Sequence, residues 1–223
     1  MRLILAAMLA TGGLVMALIA VPPARAEPET CPPICDQIPA TAWISTRAVP
    51  LNSQYRWPAM ASVAVAVSRA TPRFRFEQLC ATPAFPQDSR NWAVAGRVTV
   101  VHPDGQWQLQ AQVLHWRGDT ARGGQIVGSV FGTAGAALRA CQLGAPLQSP
   151  SITDDEPTQL AAVISGPVIM HTYLVAHPWS STISELTLWS SGPPQVPWPV
   201  VADSAVLDAM AASLCEAYIG SCP

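Results

Sequence analysis

Four histidines, His102, His115, His171 and His177, are the side chains of this sequence best suited by type to acid–base or metal chemistry near neutral pH. His102 falls in a turn and is expected to be solvated. His115 and His171 fall on strand-like runs and can approach each other across a sheet. A two-histidine metal site would still need further ligands, so structural histidines are the favoured reading. Asp154-Asp155-Glu156 lacks the glycine and spacing of a calcium loop and reads as a solvated acidic turn. Arg117-Gly118-Asp119 spells an integrin-recognition tripeptide, a match that arises readily by chance. No cofactor and no metal is implied, and no catalytic residue is assigned.

Other catalytic signatures are missing. The chain has no lysine, so it has no phosphate-binding G-x-x-x-x-G-K-[ST] loop. There is no H-E-x-x-H. Gly128-Ser129-Val130-Phe131-Gly132 sets its serine one residue away from a G-x-S-x-G elbow. Cys31 and Cys35 are separated by three residues, which favours a disulfide role over a C-x-x-C redox one.

The compartment is legible at the start of the chain. Arg2 precedes the apolar run Leu3–Val21, and Ala24-Arg25-Ala26 is a small-x-small cleavage signal. Residues 1–26 therefore read as a signal peptide and residues 27–223 as one exported domain, secreted or held in the cell envelope. Retention of the signal peptide as an anchor is the alternative. After Ala26 no apolar run reaches the roughly 20 residues of a membrane helix.

All six cysteines follow the signal, as expected of structural disulfides in an oxidising compartment. Cys80 and Cys141 each end an element that should pack on a sheet, and they are paired here. Cys31 and Cys35 are expected to bond Cys215 and Cys222, tying the N-terminal arm to the last helix. Each such bond closes a loop of about 180 residues and contributes on the order of 4–5 kcal/mol in the chain-entropy model.

With 12% charged and 50% hydrophobic residues, the chain has the means to build a core. Its net charge of −2 and scattered arginines argue against nucleic acid as a partner. The absence of lysine beside abundant Ala and Pro is the mark of GC-rich coding, as in actinobacteria. Eight tryptophans offer either core packing or a sugar- or lipid-stacking platform. Core and sheet-edge packing is favoured for Trp43, Trp57, Trp92, Trp107, Trp116, Trp179 and Trp189.

The elements that would position these groups follow from periodicity. Residues 27–58 read as irregular, and 61–68 as a strand. Residues 74–80 are ambiguous, and 81–90 read as a loop. Residues 92–101 and 106–116 form a hairpin around His102-Pro103-Asp104-Gly105, with Gly105 left-handed. The expected register pairs Val101 with Trp107 and Thr99 with Leu109. Trp107, Leu109, Ala111 and Val113 should face a helix-covered core, leaving Gln106, Gln108, Gln110 and Gln112 on the other face. A helix is expected over 125–141, weakened by Gly128, Gly132 and Gly135, which close packing on a sheet would explain. Residues 144–157 read as a loop. Strands follow at 159–165, 168–176 and 181–189. A proline-rich connector, 191–199, leads to a last helix capped at Asp203, with Val206, Leu207, Met210, Ala211, Leu214 and Tyr218 on its apolar stripe. The fold class is α+β: a mainly antiparallel sheet of five or six strands, two principal helices and disulfides.

The strand ending near Trp116, the Ala-rich helix closing on Cys141, the antiparallel strands and the Ala-rich C-terminal helix Val206–Tyr218 come in a familiar order. Over about 120 residues this resembles the extracellular sensor domain of mycobacterial Ser/Thr kinases and related small exported proteins. The resemblance implies a disulfide-bonded α+β domain with a ligand cleft and a non-catalytic role. The chain departs from it in Cys31, Cys35 and the C-terminal cysteine pair, and no binding residue carries over. The expected function is non-enzymatic binding of a small molecule, a lipid or an envelope protein. The alternative is an exported hydrolase with dispersed catalytic residues, for example around His115 or His171.

Overall fold

In the computed structural model, residues 38–67 and 72–218 are described. The signal peptide, the domain start at Glu27, Cys31, Cys35 and Cys222 lie outside the described residues.

The strands are β1 (Val65–Ala66), β2 (Val94–Val100), β3 (Gln108–His115), β4 (Ser149–Asp155), β5 (Gln159–Ser165), β6 (Val168–His177) and β7 (Thr182–Ser191). They form one sheet in the order β1-β2-β3-β7-β6-β5-β4, and every neighbouring pair is antiparallel. The helices are α1 (Asn52–Tyr55), α2 (Met60–Val63), α3 (Arg75–Leu79), α4 (Thr120–Arg139), α5 (Cys141–Gly144) and α6 (Asp203–Ala217). The α+β class and the two long helices are as expected.

Both faces of the sheet are covered. Leu109, Ala111, Val113, Tyr173, Val175, Leu186 and Leu188 point to a core that holds Val206, Leu207, Met210 and Leu214 of α6. Trp43, Trp57 and Met60 from the N-terminal segment close the same core. On the opposite face Leu114, Leu160, Ile164, Leu174 and Ile183 meet Val127, Val130, Ala134 and Leu138 of α4, with Phe74 and Phe76 beside them. The alternation of β3, β6 and β7 between these clusters is the period of two that a sheet buried on both sides requires.

The hairpin expectation needs correcting. Gly105 is left-handed, with φ of 75°, as read from Pro-Asp-Gly. The register, however, is Thr99 with Gln110 and Val100 with Leu109, one residue from that expected. The ladder stops there because the Trp107 amide donates to Tyr55 Oη (3.1 Å) and its indole Nε1 to the Val196 carbonyl (2.8 Å). The slip turns β2 over, so Val98 and Val100 share the Trp107 face. Nor is the glutamine face solvated: Gln110 and Gln112 are 4% and 0% exposed. Gln110 Nε2 donates to Glu185 Oε2 (3.0 Å), and Arg97 Nε donates to Gln112 Oε1 (2.7 Å). Buried polar groups are tolerated because each finds a partner.

Three boundaries also differ. Residues 61–68 give the turn of α2 and only two residues of strand. The expected loop over 144–157 contains edge strand β4, whose Pro150, paired aspartates and bulge blunt an open edge. Helix α4 starts five residues early, because Asp119 caps it by accepting from the Arg122 amide (2.8 Å). That cap is the structural role of the Arg117-Gly118-Asp119 tripeptide. Asp203 is the first residue of α6, with Ala202 as its cap.

Packing explains some glycines of α4 and not others. A Cβ on Gly123 would sit 2.1 Å from Ser181 Oγ, whereas Cβ atoms on Gly128 and Gly132 would meet nothing within 4 Å. Nothing in the structure explains Gly128 and Gly132.

Candidate functional site

Helix α3 positions the acid at the base of the site. Glu77 lies in its first turn, and its Oε2 accepts from the Phe74 amide (2.8 Å). At the other end Cys80 bonds Cys141, the first residue of α5, separated from α4 by one residue. The expected mid-chain pair is thus present. It closes a separation of 61 residues, worth about 4 kcal/mol in the chain-entropy model. Cys215 is also disulfide-bonded, through a partner outside the described residues.

Beyond Cys80 the chain bends sharply at Ala81, a non-glycine residue with φ of 51°. Such backbone conformations persist only where the surroundings hold them. Here the Thr82 amide donates to the Glu77 carbonyl (2.9 Å) and the Arg73 guanidinium to the Thr82 carbonyl. The loop then runs outward through Pro83 and Phe85, the latter 66% exposed, and returns at Asp88.

Its return is fixed by charge. Asp88 caps the short turn Ser89–Trp92 by accepting from the Arg90 amide (2.9 Å). The Arg90 side chain folds back so that Nε and Nη2 reach Asp88 and Nη1 and Nη2 reach Glu77, at 2.6–3.0 Å. Burial alone would push the Asp88 carboxyl up, but hydrogen bonds from Arg90 outweigh it and hold the carboxyl below its usual range. Burial likewise opposes the Arg90 charge, and the same two carboxylates overcome it and raise its pKa. Every guanidinium nitrogen is engaged by one or both of these carboxylates. The loop is therefore anchored at one end by a disulfide and at the other by a buried ion triad.

Between this loop and α4 lies a cleft of about 420 Å³. Its helical wall is Ser129, Val130, Thr133, Ala134 and Ala137, all small or β-branched. The loop contributes Thr82, Pro83, Phe85, Gln87 and Ser89, and Glu77, Asp88 and Arg90 of the triad complete the lining. The volume falls within the range of small-molecule sites, roughly 300–1,000 Å³.

None of the four histidines lines this cleft. His115 Nδ1 lies 3.0 Å from Thr182 Oγ1, and its ring stacks on Tyr218 at 4.6 Å. His171 stacks on Trp198 at 3.5 Å and meets Trp107 edge-on; burial lowers its pKa to about 4 despite Asp203 nearby. His115 and His171 pair with Thr182 and Leu188, six positions apart on β7, about 20 Å at the strand rise. They do not meet. His102 is half-buried against the rings of Tyr55 and Trp57, not simply solvated. His177 Nδ1 lies 2.7 Å from Oγ of Ser180, which is 3% exposed. Among the described residues no three His, Cys, Asp or Glu side chains gather as a metal site. Asp155 instead pairs with Arg139 at 2.6 Å.

Of the seven tryptophans assigned to packing, Trp43, Trp57, Trp107, Trp116 and Trp189 are buried, while Trp92 and Trp179 are exposed. Of the residues that line the cleft, only Ser129 and Val130 drew notice in the sequence, and only for a serine out of place for a G-x-S-x-G elbow. The available signal was a ten-residue loop starting at a disulfide cysteine and closing on Asp-x-Arg. Comparison with protein-family models, curated proteins and solved structures finds no match to this chain.

Proposed function

We propose that this chain is an exported, non-catalytic binding module whose ligand seat is the cleft between α4 and the 82–90 loop. One observation carries the reading. Among the described residues, the ionisable groups in the cleft lining are Glu77, Asp88 and Arg90, and they are spent on one another. A carboxylate held ionised by a guanidinium is a poor general acid, and one with its lone pairs occupied is a poor general base. The triad instead holds a mostly apolar slot open and in shape, as a binding site needs. The signal-peptide pattern and the Cys80–Cys141 bond support an exported, oxidising setting, with a small molecule, a lipid or an envelope protein as partner. Native mass spectrometry of the exported protein tests the reading. A bound species lost on Thr133→Tyr, which fills the slot from α4, is the expected result. Retention of that species by the blocked variant would refute the assignment of the seat.

The Ser180–His177 contact favours the second reading, an exported hydrolase, because a hydroxyl within reach of an imidazole is the core of nucleophilic catalysis. Burial of Ser180 and the three-residue separation of the pair support a turn-stabilising role instead. Turnover of ester, peptide or glycoside substrates that is abolished by Ser180→Ala would favour the hydrolase.

A further inference from the structure

We infer that the cleft between α4 and the 82–90 loop takes a neutral, hydroxylated ring ligand, a pyranose unit of an uncharged saccharide, with its apolar face against Phe85. The inference rests on the cleft being the ligand seat and adds the ligand's chemistry.

Charge excludes the first alternatives. The nitrogens of Arg90, the one cation in the lining among the described residues, are already bonded to carboxylates, so an anionic ligand finds no free guanidinium there. The two carboxylates are compensated by Arg90, and Arg73 Nε stands 3.8 Å from Glu77 as well. A cation would gain little for the water it sheds. A fully apolar chain is disfavoured for a different reason. Laid in the slot, it would strip water from the exposed hydroxyls of Ser129 and Thr133 without replacing the hydrogen bonds.

A neutral sugar ring matches what remains. Its hydroxyls both donate and accept, as do those of Thr82, Ser89, Ser129 and Thr133, and the Gln87 amide offers both functions. Its C–H face suits an aromatic ring, and Phe85 presents a large exposed ring to this slot. The α4 side of the lining has no side chain longer than valine, so it leaves room for a ring.

The test is a two-dimensional NMR titration of the full exported chain with maltotriose, cellotriose and α-1,6-mannotriose, alongside trigalacturonate and laurate. The expected result is a saturable shift of the Phe85, Ser129 and Thr133 amides by at least one neutral trisaccharide, and none by trigalacturonate. Phe85→Ala should weaken that binding roughly tenfold. Thr133→Val should weaken it while leaving the remaining spectrum intact. Trp179→Ala removes a ring of similar exposure that does not line the cleft and should leave the affinity unchanged. Laurate binding at these amides without any saccharide response overturns the ligand class and leaves the binding module standing. No response at these amides to any of the five probes overturns the ligand class and counts against the seat as well. Equal loss of affinity in Phe85→Ala and Trp179→Ala would show adhesion to exposed rings and not a site.

Discussion

Glu185 sits at the centre of the sheet with no solvent exposure, and replacing it by glutamine should change how stability depends on pH. Its Oε1 accepts from the Arg75 amide at 2.5 Å and from Thr187 Oγ1 at 3.2 Å, and its Oε2 accepts from Gln110 Nε2. Burial, aided by the nearby Glu77 charge, raises its pKa from 4.5 to about 7 against the hydrogen bonds from the Arg75 amide and Gln110 and the charge of Arg97. The folded protein therefore holds this proton between about pH 4.5 and 7, where the unfolded chain has released it. The contribution of Glu185 is fully favourable below pH 4.5 and falls as pH rises through 7. The loss amounts to roughly 3 kcal/mol, at about 1.4 kcal/mol per pH unit. Glutamine mimics the protonated acid, and Gln110 can turn its amide to present oxygen to the new NH2 group. Glu185→Gln should match the parent near pH 4.5 and exceed it by roughly 3 kcal/mol at pH 8. The histidines drive the opposite trend, since His115, His171 and His177 are all lowered and their protonation destabilises the fold as pH falls below 6.5. The difference between variant and parent cancels them. Urea unfolding at several pH values measures it, and a difference that stays flat from pH 4.5 to 8 would refute the reasoning.

Other expectations follow from the same packing. Gly128→Ala and Gly132→Ala should each stabilise by up to about 1 kcal/mol in urea unfolding, because their Cβ atoms enter open space in a helix interior. Gly123→Ala should destabilise clearly in the same assay, since its Cβ would overlap Ser181. Cys80→Ser with Cys141→Ser should lower stability by about 4 kcal/mol and speed amide exchange through residues 81–88, whose first anchor is lost. The His171 ring should titrate near pH 4 by NMR, and a midpoint near 6.5 would mean that the Trp198 stack opens in solution.

The sequence alone determined the elements whose signals are local. Gln159–Ser165 carries a strand run bounded by turn residues, and it appears with the expected ends. The stripe Val206, Leu207, Met210 and Leu214 repeats at helical spacing, and all four are buried on the sheet. Pro-Asp-Gly placed a left-handed Gly105 because only local sterics are involved. The Cys80–Cys141 pair was legible because the cysteines lie just past the ends of α3 and α4, which pack on one face. Tertiary structure decided what depends on distant partners. Gln110 and Gln112 look solvent-facing until Glu185 and Arg97 arrive from other strands to bond them. The hairpin register turned on Tyr55 and Val196, far away in the chain, capturing Trp107. The cleft escaped notice for the same reason: Glu77, Asp88, Arg90 and the α4 wall have no common spacing. They meet only because a disulfide and an ion triad fold the 82–90 loop against a helix about forty residues further on.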